Sequence, residues 1–356
     1  MASTTNYSWS TPDNSGLVKN GAQDMRTLGN AIDTSVWNIG FGQAGKNKII
    51  NGDMSIWQRG TSFSNIFGVY TADRYISGYG TGGTQSIAQQ DVTGATGLPN
   101  HIRWAMRYST TSAASGQYNV TQRIEDVQTL AGQTVTFSFY ARRVSGTGTT
   151  IRLNAYQLFG TGGSTFTQPA TDIDFTVTNS DFQRFSYTFT MPAMTGKTIG
   201  TGSYLDFRLG YPTAVSVFDV TGWQLESGSK ATPFQTASGG SLQSEMAMCQ
   251  RYYFRAGGDS TYQPMAWGVA RTTTDVRFAV TLPSKMRVSP TSVEYSTLIA
   301  ALPGNSGLTV TALALDNFGT QMQGLTATVS GATAGQMYQL LANGSTSAYV
   351  ALNAEL

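Results

Sequence analysis

Asp172 and Asp174, flanking Ile173, are a carboxylate pair whose spacing could support acid–base chemistry. On a strand, side chains at i and i+2 share a face with backbones roughly 6–7 Å apart. Glycoside hydrolysis needs two carboxyls roughly 5–9 Å apart across the sugar. The same residues also read as the polar outer face of a strand that buries Ile173 and Phe175, and this reading is the stronger one. Glu125-Asp126 reads as a solvated turn. His101 is the single histidine, so one chain cannot form a zinc site with two His ligands. A Ser-His-Asp triad would have to use His101, which comes after a Pro99-Asn100 turn, and no nucleophile elbow occurs elsewhere. The glycine-rich stretches lack the spacing and Lys of a phosphate loop. We therefore expect a non-enzyme.

Binding chemistry is better represented. Sugars stack their C–H faces on aromatic rings, while Asn, Gln, Asp and Arg read their hydroxyls. Tyr252, Tyr253, Tyr262 and Trp267 lie close together in sequence and are the candidate binding residues. Trp57 and Trp223 have alternating apolar and polar neighbours and are expected in a core. Trp104 and Tyr108 share one parity of a strand and could face either way. Lys and Arg number 22 against 20 Asp and Glu, a formal charge of +2, and they are scattered. That is not a phosphate-binding surface, so no nucleic-acid partner is expected.

These residues need elements to hold them. The chain has 356 residues, 40 of them Gly, and only 12% are charged. Few charges with many Gly, Thr and Tyr favour short strands joined by tight turns. Strands are expected at 133–140, 151–158, 182–190, 204–209 and 215–225. In the first, Val135, Phe137 and Phe139 alternate with Thr136, Ser138 and Tyr140, as in a sheet with one buried face. About ten strands between Lys48 and Phe234 without intervening helices indicate a mainly β chain with a jelly-roll sandwich. Further strands at 269–282, 308–315, 325–330 and 337–352 indicate a smaller C-terminal β-domain.

Two segments are helical. Val18, Ala22, Met25, Gly29, Ile32 and Val36 alternate by four and three, the repeat of a coiled-coil seam, with Leu28 beside the stripe. Packing on copies or on another protein, and lying on the chain's own domain, both fit this pattern. Residues 241–255 form the second helix, with Leu242, Met246, Cys249 and Tyr253 on one face. The expected divisions are 1–45, an N-terminal helical segment; 46–236, the jelly roll; 237–258, a connecting helix; and 259–356, the distal β-domain. Cys249 is the single cysteine, which excludes an intrachain disulfide. No run approaches the ~20 apolar residues that span a bilayer as a helix, so no membrane insertion is expected. A polar N-terminus without an apolar signal core points to folding in a reducing cytosol.

Tyr7-Ser8-Trp9-Ser10-Thr11-Pro12, with Leu17 to Ala22 and Arg26-Thr27-Leu28-Gly29, resembles the N-terminal segment of phage virion proteins. Ile49 to Gly60, with Tyr70 to Tyr75, looks like the opening of a jelly-roll module of phage tail proteins. Trp223 to Gly228 and Ala231 to Phe234 resemble its closing strand and exit. The Cys249-Gln250-Arg251-Tyr252-Tyr253 helix and Pro283 to Arg287 with Pro290-Thr291 resemble the stretch C-terminal to that module. Taken in order, these motifs spread over most of the chain and point to a bacteriophage tail fibre or related virion structural protein.

The resemblance implies a homotrimer on the tail of the virion, assembled in the host cytoplasm. The N-terminal segment would attach to other tail or baseplate proteins, and the distal part would meet a host-surface glycan or protein. The oligomerisation residues would be Val18, Ala22, Met25, Leu28, Ile32 and Val36. An architectural baseplate, neck-fibre or decoration protein is the alternative. A polysaccharide depolymerase is a third class, but it would call for β-helical repeats that the sequence lacks. The module is also similar to carbohydrate-binding modules, in which an Asn-Gly opening and a late Asp lie beside a structural calcium. Asn51-Gly52-Asp53 and Phe218-Asp219-Val220 match those features, making Asp53 and Asp219 calcium candidates. Otherwise Asp53 and Asp73 close turns, and Asp219 makes a strand-end hydrogen bond.

Overall fold

The computed structural model describes residues 2–5, 8–12, 18–39, 44–78, 80–302, 307–316 and 319–356, with the side chains of residues 2, 18 and 36–39 outside the description. The chain is mainly β. A jelly-roll sandwich packs a five-stranded sheet on a six-stranded one, and a smaller β-domain comes after it. The five-stranded sheet runs Thr167–Thr176, Thr150–Leu158, Tyr204–Gly210, Asn119–Glu125, Tyr75–Ser77. The six-stranded sheet runs Gln183–Thr190, Thr134–Gly146, Ser216–Ser227, Trp104–Ser112, Thr84–Asp91, Ser62–Ser64. All neighbours in both sheets are antiparallel.

Between the sheets lie Phe137, Phe139, Phe207, Phe218, Tyr75 and Trp223, all buried. Trp223 meets Tyr75 and Phe137 edge-on, with centroids 5.2 and 5.5 Å away. Trp57 packs against this core, half-buried, as does Trp104, while Tyr108 is buried and stacks on Tyr211 at 3.8 Å.

The Ile-Ile-Asn-Gly opening has a physical role. Asn51 sits at φ 58°, a conformation Asn tolerates. Its side chain accepts from Ile56 N and donates to Ile56 O and Asp73 O, closing the loop from 51 to 56. A Cβ on Gly52 would come within 2.3 Å of the Trp223 carbonyl oxygen, so the backbones can approach only at glycine.

Several expectations are corrected. Thr136, Ser138 and Tyr140 are buried rather than solvated. A second cluster of Val92, Ile102, Ala105, Phe182 and Phe234 covers Tyr140. Arg184 donates to Ser138, and Thr136 donates to the carbonyl of Gly228. The second helix stops early: α2 spans Leu242–Gln250 and is capped by Ser241. Its buried residues are Glu245 and Cys249, while Leu242 is exposed. Tyr253 leaves the helix for a strand, Tyr253–Gly257, because Tyr, Phe and Arg there pair with Asn353, Leu352 and Ala351. The stretch 269–282 is a hairpin turning between Arg271 and Asp275. The stretch 337–352 is two strands, Met337–Ala342 and Tyr349–Asn353.

The distal domain stacks two sheets. The seven-stranded sheet runs Leu308–Thr309, Leu298–Ala301, Met337–Ala342, Pro264–Ala270, Asp275–Thr281, Met322–Thr328, Ala312–Asp316. The three-stranded sheet runs Tyr253–Gly257, Tyr349–Asn353, Ser292–Ser296. At the other end, α1 spans Gly21–Ile39 after a 3-10 turn. Trp9 from the short N-terminal hairpin donates its indole N–H to Ser35 on α1 at 2.9 Å. Ala22, Met25, Gly29 and Ile32 are exposed and Leu28 is half-buried, so the stripe does not lie on the β-domains. Val18 and Val36 belong to the same stripe, but their side chains are outside those described.

Candidate saccharide cleft between the two domains

Strand alternation builds one wall of a cleft. Even-numbered Phe254, Val350 and Leu352, with Val293 and Tyr295, turn into the distal core. The opposite parity, Tyr253 and Arg255, Tyr349 and Asn353, Glu294 and Ser296, turns towards the jelly roll. Register sets the spacing. Ala351 pairs with Arg255 on one side and Glu294 on the other, so a methyl group separates guanidinium from carboxylate. The facing wall is Arg59, Phe63 and the loop up to Tyr70, and the cleft holds about 650 Å³.

The walls are held together. Gln58 donates through its backbone to Asp73 at 2.9 Å and through its side chain to the Tyr253 carbonyl at 2.9 Å. Arg255 donates Nη1 to the Gln58 carbonyl at 2.6 Å. The Arg59 guanidinium lies 3.4 Å over the Tyr253 ring and 5.0 Å from the Tyr70 centroid. Tyr70 donates to the Leu356 carbonyl at 2.9 Å, and burial pushes its hydroxyl up to about 12. The Tyr253 hydroxyl is also pushed up, first by burial and then by Glu294, whose Oε2 accepts from it at 3.0 Å. Both phenols are neutral donors at neutral pH.

What remains unspent defines the chemistry. Among the described residues, Glu294 Oε1, Arg255 Nε and Nη2, and the Asn353 amide nitrogen have no hydrogen-bond partner, and none of them is a buried orphan. Arg255 and Glu294 stand on the row beside Tyr349, with the Arg255 guanidinium covering that ring at 4.0 Å, and Asn353 lies four residues further along the same strand. An acceptor and donors spaced along one wall match the hydroxyls of a sugar, and the ring face of Tyr349 that Arg255 covers takes no part in stacking. Hydrolysis would need a second carboxylate, but Glu294 is the one carboxylate among the lining residues.

The four candidate residues do not form one site. Tyr253, 1% exposed, forms the cleft floor; it cannot stack on a ligand because Arg59 covers its ring. Tyr252, 4% exposed, is likewise corrected from a contact to a structural residue: Arg74 lies 3.4 Å over its ring and its hydroxyl donates to Glu125. Tyr262 is exposed near the Gly344 turn, and Trp267 stands on the outer face of the seven-stranded sheet. Sequence reading missed Tyr349, Arg255 and Glu294. They come from three strands, and their alternation against apolar neighbours was the available signal.

Other sequence candidates are consumed by partners. Arg152 pairs with both Asp174 and Asp172, at 2.6 and 3.7 Å. His101 stacks on Phe234 at 6.0 Å. Asp219, fully buried, accepts from Arg107 and Arg142 at 2.8–3.0 Å, which leaves no face for calcium. Asp53 accepts from Ser55 at 3.0 Å, and burial raises its pKa. Among the described residues, no group of three or more His, Cys, Asp or Glu is placed to hold a metal. A smaller hollow of about 420 Å³ beside Phe166 and Tyr204 lies on the jelly roll. The nearby Asp206 is spent on Arg208 and Arg123.

No family model matches the sequence, and no curated protein matches it. Among solved structures, the enzymatically active domain of tailspike protein 4 from bacteriophage CBA120 aligns at 13% identity and TM-score 0.33 over 51% of this chain, which is 22% of that one. The xylan-binding CBM22-1 domain of Paenibacillus barcinonensis Xyn10C aligns at 13% identity and TM-score 0.31, over 48% of this chain and 95% of that one. The C-terminal family 22 carbohydrate-binding module of Clostridium thermocellum Xyn10B aligns at 12% and TM-score 0.35, over 53% and 99%. Scores this low carry no functional argument, so what the chain binds has to be read from its own residues.

Proposed function

We propose that the chain is a non-enzymatic component of a phage tail, a fibre-like adhesin that binds host-surface saccharide in the cleft between its two β-domains. The observation that carries the reading is the set of unspent groups along the distal wall of the cleft: Glu294 Oε1 as acceptor, with Arg255 and the Asn353 amide as donors. The tail assignment rests on the ordered motifs from Trp9 to Pro290. In this reading α1 joins three copies, and the N-terminal segment meets other tail proteins. The distal domain then points at the cell.

The test is binding of the purified full chain to bacterial surface polysaccharides and to host cells. Saturable binding that weakens at least about tenfold in Tyr349→Ala and in Glu294→Gln, each with unchanged melting, supports the cleft. A folded chain that binds neither cells nor polysaccharide would move the assignment to an architectural tail protein.

A further inference from the structure

The outer face of the seven-stranded sheet breaks the pattern expected of a half-solvated sheet. In the jelly roll, the outward positions of Thr150–Leu158 include Arg152, Asn154 and Tyr156, mostly polar as such a sheet requires. On the distal sheet, inward residues are Ala266, Phe278, Leu325 and Leu340, and the outward ones include Trp267, Val269, Met322 and Met337. Trp267 is 49% exposed and Met322 56%. A contiguous apolar patch of this kind marks an interaction surface.

Register gives the patch a shape. Trp267 pairs with Ala279, and Ala279 pairs with Gly324. The indole therefore stands mid-row, with Gln339 on one side and, on the other, two positions that carry a methyl group and no side chain. Beside it lies a trough of about 620 Å³, bordered by Met322, Val269 and Arg277. The charges next to it are spent on one another: Arg271 on Asp275 at 2.7 Å and Arg277 on Asp316 at 2.9 Å. Trp267 thus lacks the unspent charged readers that the cleft has in Arg255 and Glu294.

We infer that this face is a contact between copies of this chain, in which Trp267 of one copy enters the trough over Ala279 and Gly324 of another. Two features select a second copy over a different partner. The surface presents both a knob and a hole, as a self-complementary contact must. Its rim carries two Arg and two Asp, so identical rims meet without net repulsion, whereas a strongly charged partner would call for a rim of one sign.

The test is sedimentation of the full chain carrying Met25→Glu and Ile32→Glu, so that the helical stripe cannot hold copies together. Adding Trp267→Lys or Met322→Lys, both at exposed positions, should shift association at least about tenfold to higher concentration while circular dichroism and melting stay unchanged. A nitroxide on Ala279→Cys should show dipolar coupling to its counterpart in another copy; Cys249 is buried and does not compete for label. A background chain that stays monomeric overturns the inference, as does association that neither lysine weakens. So does a saccharide whose binding Trp267→Lys abolishes while association is unchanged.

Discussion

Arg74 of the jelly roll forms an ion pair with Glu355 of the distal domain, 281 positions away in sequence, and both side chains are almost wholly buried. Arg74 occupies a tight turn at φ 74°, donates to the Arg123 carbonyl at 2.6 Å and lies over Tyr252. Glu355 also lies 3.4 Å from Arg59 on the jelly-roll wall of the cleft. The pair thus fixes the spacing of the two walls that a sugar would meet.

Glu355→Gln should be strongly destabilising. Removing one member of a buried pair leaves an uncompensated charge and costs roughly 3–5 kcal/mol. Here Arg74 loses its carboxylate and Arg59 loses its nearest one. Urea unfolding should show the loss, together with weaker saccharide binding below the transition. A cost under about 1 kcal/mol would mean that water reaches the pair, as it does at the surface.

Asp73 should give stability an unusual acid dependence. Burial raises its pKa to about 6, against the opposing pull of hydrogen bonds from Gln58 and the charge of Arg59. The folded state therefore holds this proton above the unfolded value of 3.8. Between those two values the native chain binds more protons, so Asp73's contribution to stability falls as pH rises from near 4 to about 6 and is flat above. Asp73→Asn should remove that slope from melting curves across the window. An identical slope in the variant would assign it to another group.

Calcium should not matter to the jelly roll. Arg107 and Arg142 hold both oxygens of Asp219 where a cation would have to bind. Chelator and millimolar calcium should leave the melting temperature unchanged, whereas Asp219→Asn should lower it by leaving two guanidinium groups short of their carboxylate. A clear rise with calcium would restore Asp53 or another carboxylate as a ligand.

The fold was more legible in the sequence than the site. Alternation at 135–140 marks a strand because side-chain direction is a local property, and it placed Phe137 and Phe139 in the core. It could not show that Thr136 and Ser138 are covered, since their cover comes from Arg184 and the Gly228 turn, distant in sequence. The cleft fails to appear for the same reason. Tyr252 and Tyr253 stand out as adjacent aromatics, yet Tyr252 closes the turn after α2 while Tyr253 opens a strand, and Arg74 and Arg59 cover the two rings. Tyr349, Arg255 and Glu294 meet through register across three strands, which no linear spacing displays.

Met25→Glu with Ile32→Glu should weaken association through α1 and reduce its helicity together. The two effects are coupled because the helix has little support of its own. Gly29, inside α1, costs about 1 kcal/mol relative to Ala, and helices in proteins draw most of their stability from packing an apolar face rather than from propensity. Met25, 60% exposed, and Ile32 lie on the stripe and have no apolar cover from the β-domains. Packing against copies would supply the missing burial, so charges there should lower the native mass and the helical signal while strand content and the melting of the β-domains persist. Sedimentation and circular dichroism on the same samples measure both. Unchanged mass with unchanged helicity would show that α1 is not a contact between copies, and the trimer would then have to be sought in the β-domains.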